Sequence, residues 1–241
     1  GEDLDLTVLF FQPLFAKMSE SVTVGLCGQG ADELHAGYPR YKNLKEHSDT
    51  IRQRLSDMNC DLGNLSGPEW WNSNHNPENH TKSLEDFLQF ELDHGQLSNF
   101  QLRLVDRHSM AHGLEVRVPF LGSRHRSASN KLPMNWRLPE TGYEKAALRA
   151  AADLTDLPKE IVRRPKLPAG RATSPKMIDS LINDLMPFVD SIAKKHPVIE
   201  KALLKQPEIC LGLGLFESMH IIDGARTRKS GDVSSILEEL Y

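Results

Sequence analysis

One stretch of this 241-residue chain, "SVTVGLC" at residues 21 to 27, reads as a β-strand, because it is a short β-branched apolar run bounded by polar residues and glycine. Nearly every other apolar pattern has helical spacing. A lone strand constrains the fold severely, since its two edges would carry unpaired N–H and C=O groups. Either further strands are hidden in irregular sequence, for example "EVRVPF" at 115 to 120, or the chain completes a sheet whose other strands belong to another polypeptide. Both alternatives stay open at this point.

Upstream of the strand, "LTVLFFQPLFAKM" is apolar on most sides and reads as a buried element feeding into it, with Pro13 limiting a continuous helix. Residues 41 to 58 read as an exposed, charged helix. The stretch from Cys60 to His80 is rich in Asn, Gly, Pro and Ser, so it reads as a long loop anchored by Trp70 and Trp71. Helices are expected at 83 to 94, 96 to 111, 143 to 153, 175 to 195, 197 to 205 and 208 to 222. These elements form one domain over residues 1 to 222. The remaining tail, 223 to 241, carries mixed charge and one short apolar patch, "VSSILEEL", and reads as partly disordered.

Charge and cysteine content narrow the class of partner. A net charge of −4 gives no general reason to expect nucleic acid or a membrane surface, which leaves a small molecule or a protein. Cys27, Cys60 and Cys210 are too few and too scattered for a disulfide framework, and a reducing cytoplasm fits them best. No apolar run approaches the roughly 20 residues needed to span a bilayer, and Gly1-Glu2-Asp3 lacks the basic region of a signal peptide, so the chain reads as soluble. Ten histidines occur. They are read as showing no pair at metal-ligand spacing on one helix face, with His94, His108 and His112 as surface or satisfied core residues.

The loop after the strand, "GLCGQGADELHAGYPRY", carries the chemistry. Gly28 and Gly30 permit positive φ and close approach of a ligand, so successive N–H groups face one anion, and a following helix aims its positive end at the same point. Phosphate is the natural guest. Asp32 and Glu33 would repel it unless a cation lies between, and Mg²⁺ bridges carboxylates to phosphate oxygens in this way. The same residues also read as a glycine turn closed by an acidic helix N-terminus, and the loop alone does not choose between the two.

Three blocks, taken in order, point to a family. "CGQGADELHAGYPRY" resembles the Ser-Gly-Glu-Gly-Ser-Asp-Glu-Leu-Phe-Gly-Gly-Tyr signature of the synthetase domain of glutamine-dependent asparagine synthetases. "DRHSMAHGLEVRVPFL", residues 106 to 121, resembles the family's Asp-Arg-x-Ser-Met-Ala-x-Gly-Leu-Glu-x-Arg-x-Pro-Phe-Leu-Asp segment, and "EKAALRAAADLTDLPKEIVRRPK", residues 144 to 166, its Glu-Lys-x-x-Leu-Arg segment followed by Leu-Pro and Arg-x-Lys. The resemblance implies an α/β fold of the adenine-nucleotide α-hydrolase (PP-loop ATPase) type, of which this chain is the mainly helical carboxy-terminal part, contributing one or few parallel strands. The implied reaction is amide formation: a substrate carboxylate attacks the α-phosphate of ATP, pyrophosphate leaves, and ammonia attacks the acyl-adenylate. By position, Cys27, Gly28 and Gly30 would contact nucleotide and pyrophosphate, Asp32 would hold Mg²⁺, and Gln29 and Lys166 would act at the reacting centre, Lys166 by stabilising developing negative charge. Glu115 and Arg117 read as scaffold, in ion pairs tying the "PFL" turn to neighbouring helices, with Asp106 and Arg107 doing the same from one helix.

The chain departs from the family in three respects. The nucleotide-gripping Ser-Gly-Gly-x-Asp-Ser loop is absent from the sequence, so a chain or segment carrying it is an expected partner. No amino-terminal cysteine nucleophile of a glutaminase domain is present either, which makes such a domain a further partner the resemblance allows. Gln29 replaces a glutamate and Gly122 an aspartate. An amide does not take up a proton near neutral pH, so Gln29 orients or hydrogen-bonds and is no general base. Relatives making other amides, such as β-lactam synthetases, also differ there. The two competing readings are a ligase for a non-aspartate substrate and a catalytically degenerate member with a structural or regulatory role.

Overall fold

The computed structural model describes residues 9–59, 80–167, 175–222, 224 and 232–240. They fall into two compact units, one comprising Phe11–Ile51 with the described part of Leu65–Leu167, the other formed by the described residues of Gly1–Phe10, Arg52–Asn64 and Pro168–Tyr241. Cys60, Trp70 and Trp71 lie outside the described residues.

The first unit is organised around a parallel strand pair. Helix α1 (Phe11–Ser19) buries Phe11 and Phe15, whose rings stack at 5.1 Å. Pro13 is its third residue, where an N–H would find no intrahelical acceptor, so the proline opens the helix and does not interrupt it. Strand β1 (Val24–Leu26) then pairs in parallel with β2 (Glu115–Arg117), Val24 opposite Glu115 and Leu26 opposite Arg117. The ladder is extended by Glu115 N–H donating to Thr23 O at 3.0 Å and Cys27 N–H donating to Arg117 O at 2.8 Å. "EVRVPF" therefore does contain a strand, cut short because Pro119 has no N–H for a ladder and opens a 3₁₀ turn over Pro119–Leu121.

The two sheet faces differ. Gly25 is buried toward Met18, Leu114 and Val116, whereas Val24 and Leu26 alternate to the other face and are 37% and 72% exposed. Glu115 and Arg117 are also exposed and pair with each other at 2.8 Å. The expected tie from these charges to neighbouring helices is therefore not made, because residues two apart on a strand share a face and meet first.

Helices build the rest of this unit: α2 (Ala31–Leu34), α3 (Leu44–Asp57) as far as Ile51, α4 (His80–Asp93), α5 (Leu102–Met110), α6 (Ser123–Asn130), α7 (Met134–Arg137), α8 (Ala146–Ala152) and α9 (Lys159–Val162). A widened turn over Leu97–Gln101 leads into α5. Leu84, Phe87 and Leu88 recur at helical spacing along α4 and pack with Ala36, Tyr41, Leu44 and Met134. Each such buried side chain contributes roughly 1.5–3 kcal/mol over its exposed state. Glu91 continues the same stripe, and its burial is compensated by Arg40 at 2.9 Å. Arg40 in turn lies over the Tyr38 ring, 4.1 Å from its centre.

The second unit contains α10 (Pro175–Lys194), α11 (Glu200–Lys205), α12 (Pro207–Phe216), a widened turn to Ile221, and α13 (Val233–Glu238). Leu185, Val189, Ile192 and Ala193 form one stripe of α10 and pack against Leu203, Cys210, Leu211 and Leu237. The "VSSILEEL" patch thus supplies a helix with a fully buried leucine, where composition predicts partial disorder. Asp232 caps this helix, accepting from Ser235 N–H at 3.0 Å. No helix among the described residues is long and apolar enough to cross a membrane.

Candidate functional site

Of the two glycines expected to take positive φ in the loop leaving β1, only Gly30 does so. Gly30 adopts φ +89°, and a Cβ there would lie 2.3 Å from Leu121 Cδ2, so both conformation and space demand glycine. Gly28 is exposed with open space before it. Further on, Gly37 N–H donates to Asp32 O at 2.8 Å. A Cβ on Gly37 would stand 2.1 Å from Asp32 Oδ1 and 2.9 Å from Lys145 Cδ, so its missing side chain is the space the Asp32 carboxylate occupies.

Asp32 is the centre of the site. Lys145 Nζ donates to its Oδ1 and Lys166 Nζ to its Oδ2, both at 2.9 Å. The side chains retain only 14%, 18% and 20% of their exposure, in the order Asp32, Lys145, Lys166. Burial by itself raises the carboxyl pKa, but the two ammonium groups outweigh it and hold Asp32 below the usual carboxylate range. One carboxylate between two ammoniums leaves a local charge of +1. Together with the exposed Gly28 backbone, that arrangement suits an anion with several oxygens.

The two lysines come from separate segments, and Arg149 holds those segments together. Its Nη2 pairs with Glu144 Oε1 at 2.6 Å and its Nε donates to Glu144 O at 2.8 Å. Its Nη1 donates to the carbonyls of Val162 and Arg164, the latter at 3.0 Å. One guanidinium thus fixes the residue before Lys145 and the strap that leads to Lys166. Lys145 itself is held at φ +57°, an uncommon conformation for a side-chain-bearing residue. The Tyr38 ring supports Lys166 at 5.2 Å, and Gln101 Nε2 donates to Tyr38 OH at 2.9 Å.

Glu33 has a different task from its neighbour. It is 1% exposed, and neither carboxylate oxygen makes a hydrogen bond of good geometry, although its own backbone and the Tyr38 hydroxyl lie near enough to oppose the rise in its pKa. Burial pushes its pKa up to about 7, and the nearby carboxylates of Asp32 and Glu91 add to the rise. An acid buried and held in this way is a poor metal ligand. The Cys27 thiol is raised by burial, although the Gln29 and Gly28 backbone oppose the rise, so it is no ready nucleophile. His35 Nε2 lies 2.9 Å from His125 Nε2 and 3.2 Å from Ser129 Oγ. Burial first, then the positive surroundings of His125, Arg137 and Lys145, lower the His35 pKa to about 4.

Of the residues expected from the sequence, Asp32 and Lys166 are brought into direct contact, and Cys27, Gly28, Gln29 and Gly30 form the adjoining loop. The Gln29 side chain is half-buried and makes no hydrogen bond to another described residue. Lys145, Gly37 and Arg149 were not expected at the site. Lys145 and Arg149 stand in the same "EKAALR" block whose downstream lysine was singled out, while the need for Gly37 arises only from the packing of Asp32 against Lys145. His108 lies in α5 and His112 two residues past its end, so they form no pair on one helix face, although both contact Gln12. Among the described residues no group of three or more His, Cys, Asp or Glu could hold a metal ion. A Mg²⁺ here fits only as an ion held through Asp32 with phosphate oxygens and water completing its shell, the manner in which Mg²⁺ is ordinarily bound.

The model of the asparagine synthase family matches residues 9–209. Similar proteins include glutamine-hydrolysing asparagine synthetases of Gallus gallus, 39% identical over 113 residues, of Mus musculus, 47% over 72 residues, and of Homo sapiens, 46% over 72 residues. These stretches cover 42% of this chain for the first and 30% for the other two. They span only 20% of the chicken protein and 13% of the mouse and human proteins. The chain belongs to the asparagine synthase family.

Proposed function

We propose that this chain is the carboxy-terminal part of the synthetase domain of an ATP-dependent amide-forming ligase, with a PP-loop ATPase fold completed by a segment carrying Ser-Gly-Gly-x-Asp-Ser. The observation that carries the reading is the Lys145–Asp32–Lys166 cluster beside an open glycine loop. Phosphoryl-group chemistry of this kind is governed by positioning and charge neutralisation, and the cluster supplies both. Lys145 and Lys166 would hold the pyrophosphate portion of ATP, with the Gly28 N–H group completing the cradle. Asp32 would hold Mg²⁺, which when bound lowers the charge of the triphosphate. Lys166, resting on Tyr38, would stabilise negative charge developing as a small-molecule carboxylate is adenylated. The acyl acceptor would be ammonia, supplied by a glutaminase domain, or an amine.

Gln29 favours a second reading of the substrate. Its amide has no intramolecular partner among the described residues and stands where asparagine synthetases have an acid, which leaves it available to hydrogen-bond an acyl or amine group other than that of aspartate and ammonia. Pyrophosphate release and amide product are to be measured separately in the completed protein. Asp32→Asn and Lys145→Met are each expected to lower pyrophosphate release at least about a hundredfold, by loss of a preorganised charge. Undiminished release in both variants would leave the cluster a purely structural ion pair.

A further inference from the structure

Behind the strand pair, α1 and α5 present a second set of convergent donor atoms, remote in sequence from the Asp32 cluster. Gln12 on α1 reaches across to two histidines that stand four residues apart at the end of α5. Its Nε2 lies 2.6 Å from His108 Nδ1, and His112 Nε2 lies 3.0 Å from its Oε1. His112 follows the helix by two residues and is held in its closing turn, its N–H donating to Ser109 O at 3.0 Å. The Phe11 ring supports His108 from the side, with ring centres 6.0 Å apart. Both histidines and Gln12 are half-buried, so solvent reaches the group without flooding it.

We infer that Gln12, His108 and His112 form a binding site for a divalent transition metal of the zinc class, with two imidazole nitrogens and the Gln12 carbonyl oxygen as ligands. Borderline-soft cations of this class take imidazole nitrogen in preference to the all-oxygen shells of Mg²⁺ and Ca²⁺. The nitrogens already converge on a single small group, which a cation at about 2.0–2.1 Å from each would replace as their common partner. In the hydrogen-bonded arrangement one imidazole turns a lone pair inward and the other an N–H. Metal binding requires that His112 move its proton from Nε2 to Nδ1, that the Gln12 amide turn its oxygen to the ion, and that the two imidazoles close from the amide onto the ion, with no proton lost. The C-terminal end of α5, where both histidines lie, carries partial negative charge that favours a cation. Water would fill the remaining position.

The location gives the site a mechanical consequence. α1 leads directly into β1 and the glycine loop, and α5 leads into β2. An ion joining Gln12 to His108 and His112 would therefore fasten the two parallel strands from behind.

The test uses the full chain and Zn²⁺ alone, after removal of metals with a chelator. His108 and His112 imidazole resonances are followed by NMR during the titration, and amide exchange in β1 is measured with and without Zn²⁺. Both imidazoles are expected to shift together at a one-to-one ratio, with slower exchange in β1. His108→Asn and His112→Asn are each expected to weaken binding about tenfold or more, and Gln12→Glu, which supplies a carboxylate, to strengthen it by a similar factor. The inference is overturned if the two resonances of the unaltered chain stay in place up to a tenfold excess of Zn²⁺. It is equally overturned if the shifts occur but the asparagine variants, shown to be folded, bind Zn²⁺ undiminished. Because the first readout uses the unaltered chain, a variant that loosens α1 does not obscure the answer.

Discussion

Gly37→Ala is the smallest change that should disable the Asp32 cluster. The added methyl would sit 2.1 Å from Asp32 Oδ1, whereas ordinary contact begins near 3.4 Å, so the carboxylate oxygen must retreat by more than an ångström. Its contact with Lys145 is only 2.9 Å long and does not survive such a shift. Breaking a buried pair costs about 3–5 kcal/mol when the stranded charge stays dry. Asp32 and Lys145 keep 14% and 18% of their exposure, so water recovers part of this, and we expect a loss of about 2 kcal/mol. In urea that corresponds to a midpoint lowered by about 1 M. Circular dichroism gives the transition, and exchange of the α2 amides reports the first unit separately from the second. The decisive comparison is a double-mutant cycle with Lys145→Ala. Once Lys145 is truncated, Asp32 has space to turn and no partner to lose on that side, so Gly37→Ala should then cost less than about 0.5 kcal/mol. A cost that is the same in both backgrounds, or no cost in either, would refute the claim that Gly37 exists to seat this ion pair.

Three further outcomes are expected. Glu33 is an acid whose pKa is raised by folding, from 4.5 to about 7, so its contribution to stability is present below 4.5 and lost as pH rises through 7; at about 1.4 kcal/mol per pH unit, Glu33→Gln should stabilise the chain at pH 8 by up to about 3 kcal/mol and flatten the profile across that window, and an unchanged profile would contradict its burial as a charge-averse acid. Asp32 works in the opposite sense, its lowered pKa giving stability that is lost only as pH falls through that value. Gln29→Glu in the completed protein should weaken native turnover without raising asparagine formation if Gln29 hydrogen-bonds the acyl or amine group, whereas a gain in asparagine formation, with product and pyrophosphate assayed separately, would show that the position wants a base. Val24 and Leu26 should become protected from exchange when a segment carrying Ser-Gly-Gly-x-Asp-Ser is supplied in the same polypeptide, and unchanged exchange there would show that this sheet face is not where the segment packs.

The parts legible in the sequence were those written in local pattern. "SVTVGLC" is β-branched and flanked by glycine, and it forms β1. Leu84, Phe87 and Leu88 repeat at helical spacing, and they build the stripe of α4. "EVRVPF" was ambiguous because strand β2 is only three residues long and is ended by a proline, too short for alternation to declare itself. The tail helix was missed for a related reason: a six-residue element with one buried leucine owes its existence to the core it reaches, not to its own composition. At the site, Asp32 and Lys166 were found through motif order, yet Lys145 and Gly37 were not. Their importance lies in contacts between residues far apart in the chain, which no local spacing records.

The distance along the chain between these partners also bears on how the protein folds. Asp32 meets Lys145 across 113 positions and Lys166 across 134, and α2, α3, α4 and α5 all lie between β1 and β2 in the chain. Contacts of such long range demand that chain entropy be surrendered before any attraction is realised, so they form slowly and late. While a nascent chain is still short of Lys166, Asp32 has at most one of its two cations, and an acid half-matched in a closing interior resists burial. Acquisition of the Lys145–Asp32–Lys166 cluster should therefore coincide with the last cooperative step of folding, making the formation of its two ion pairs a direct reporter of completed folding in this unit.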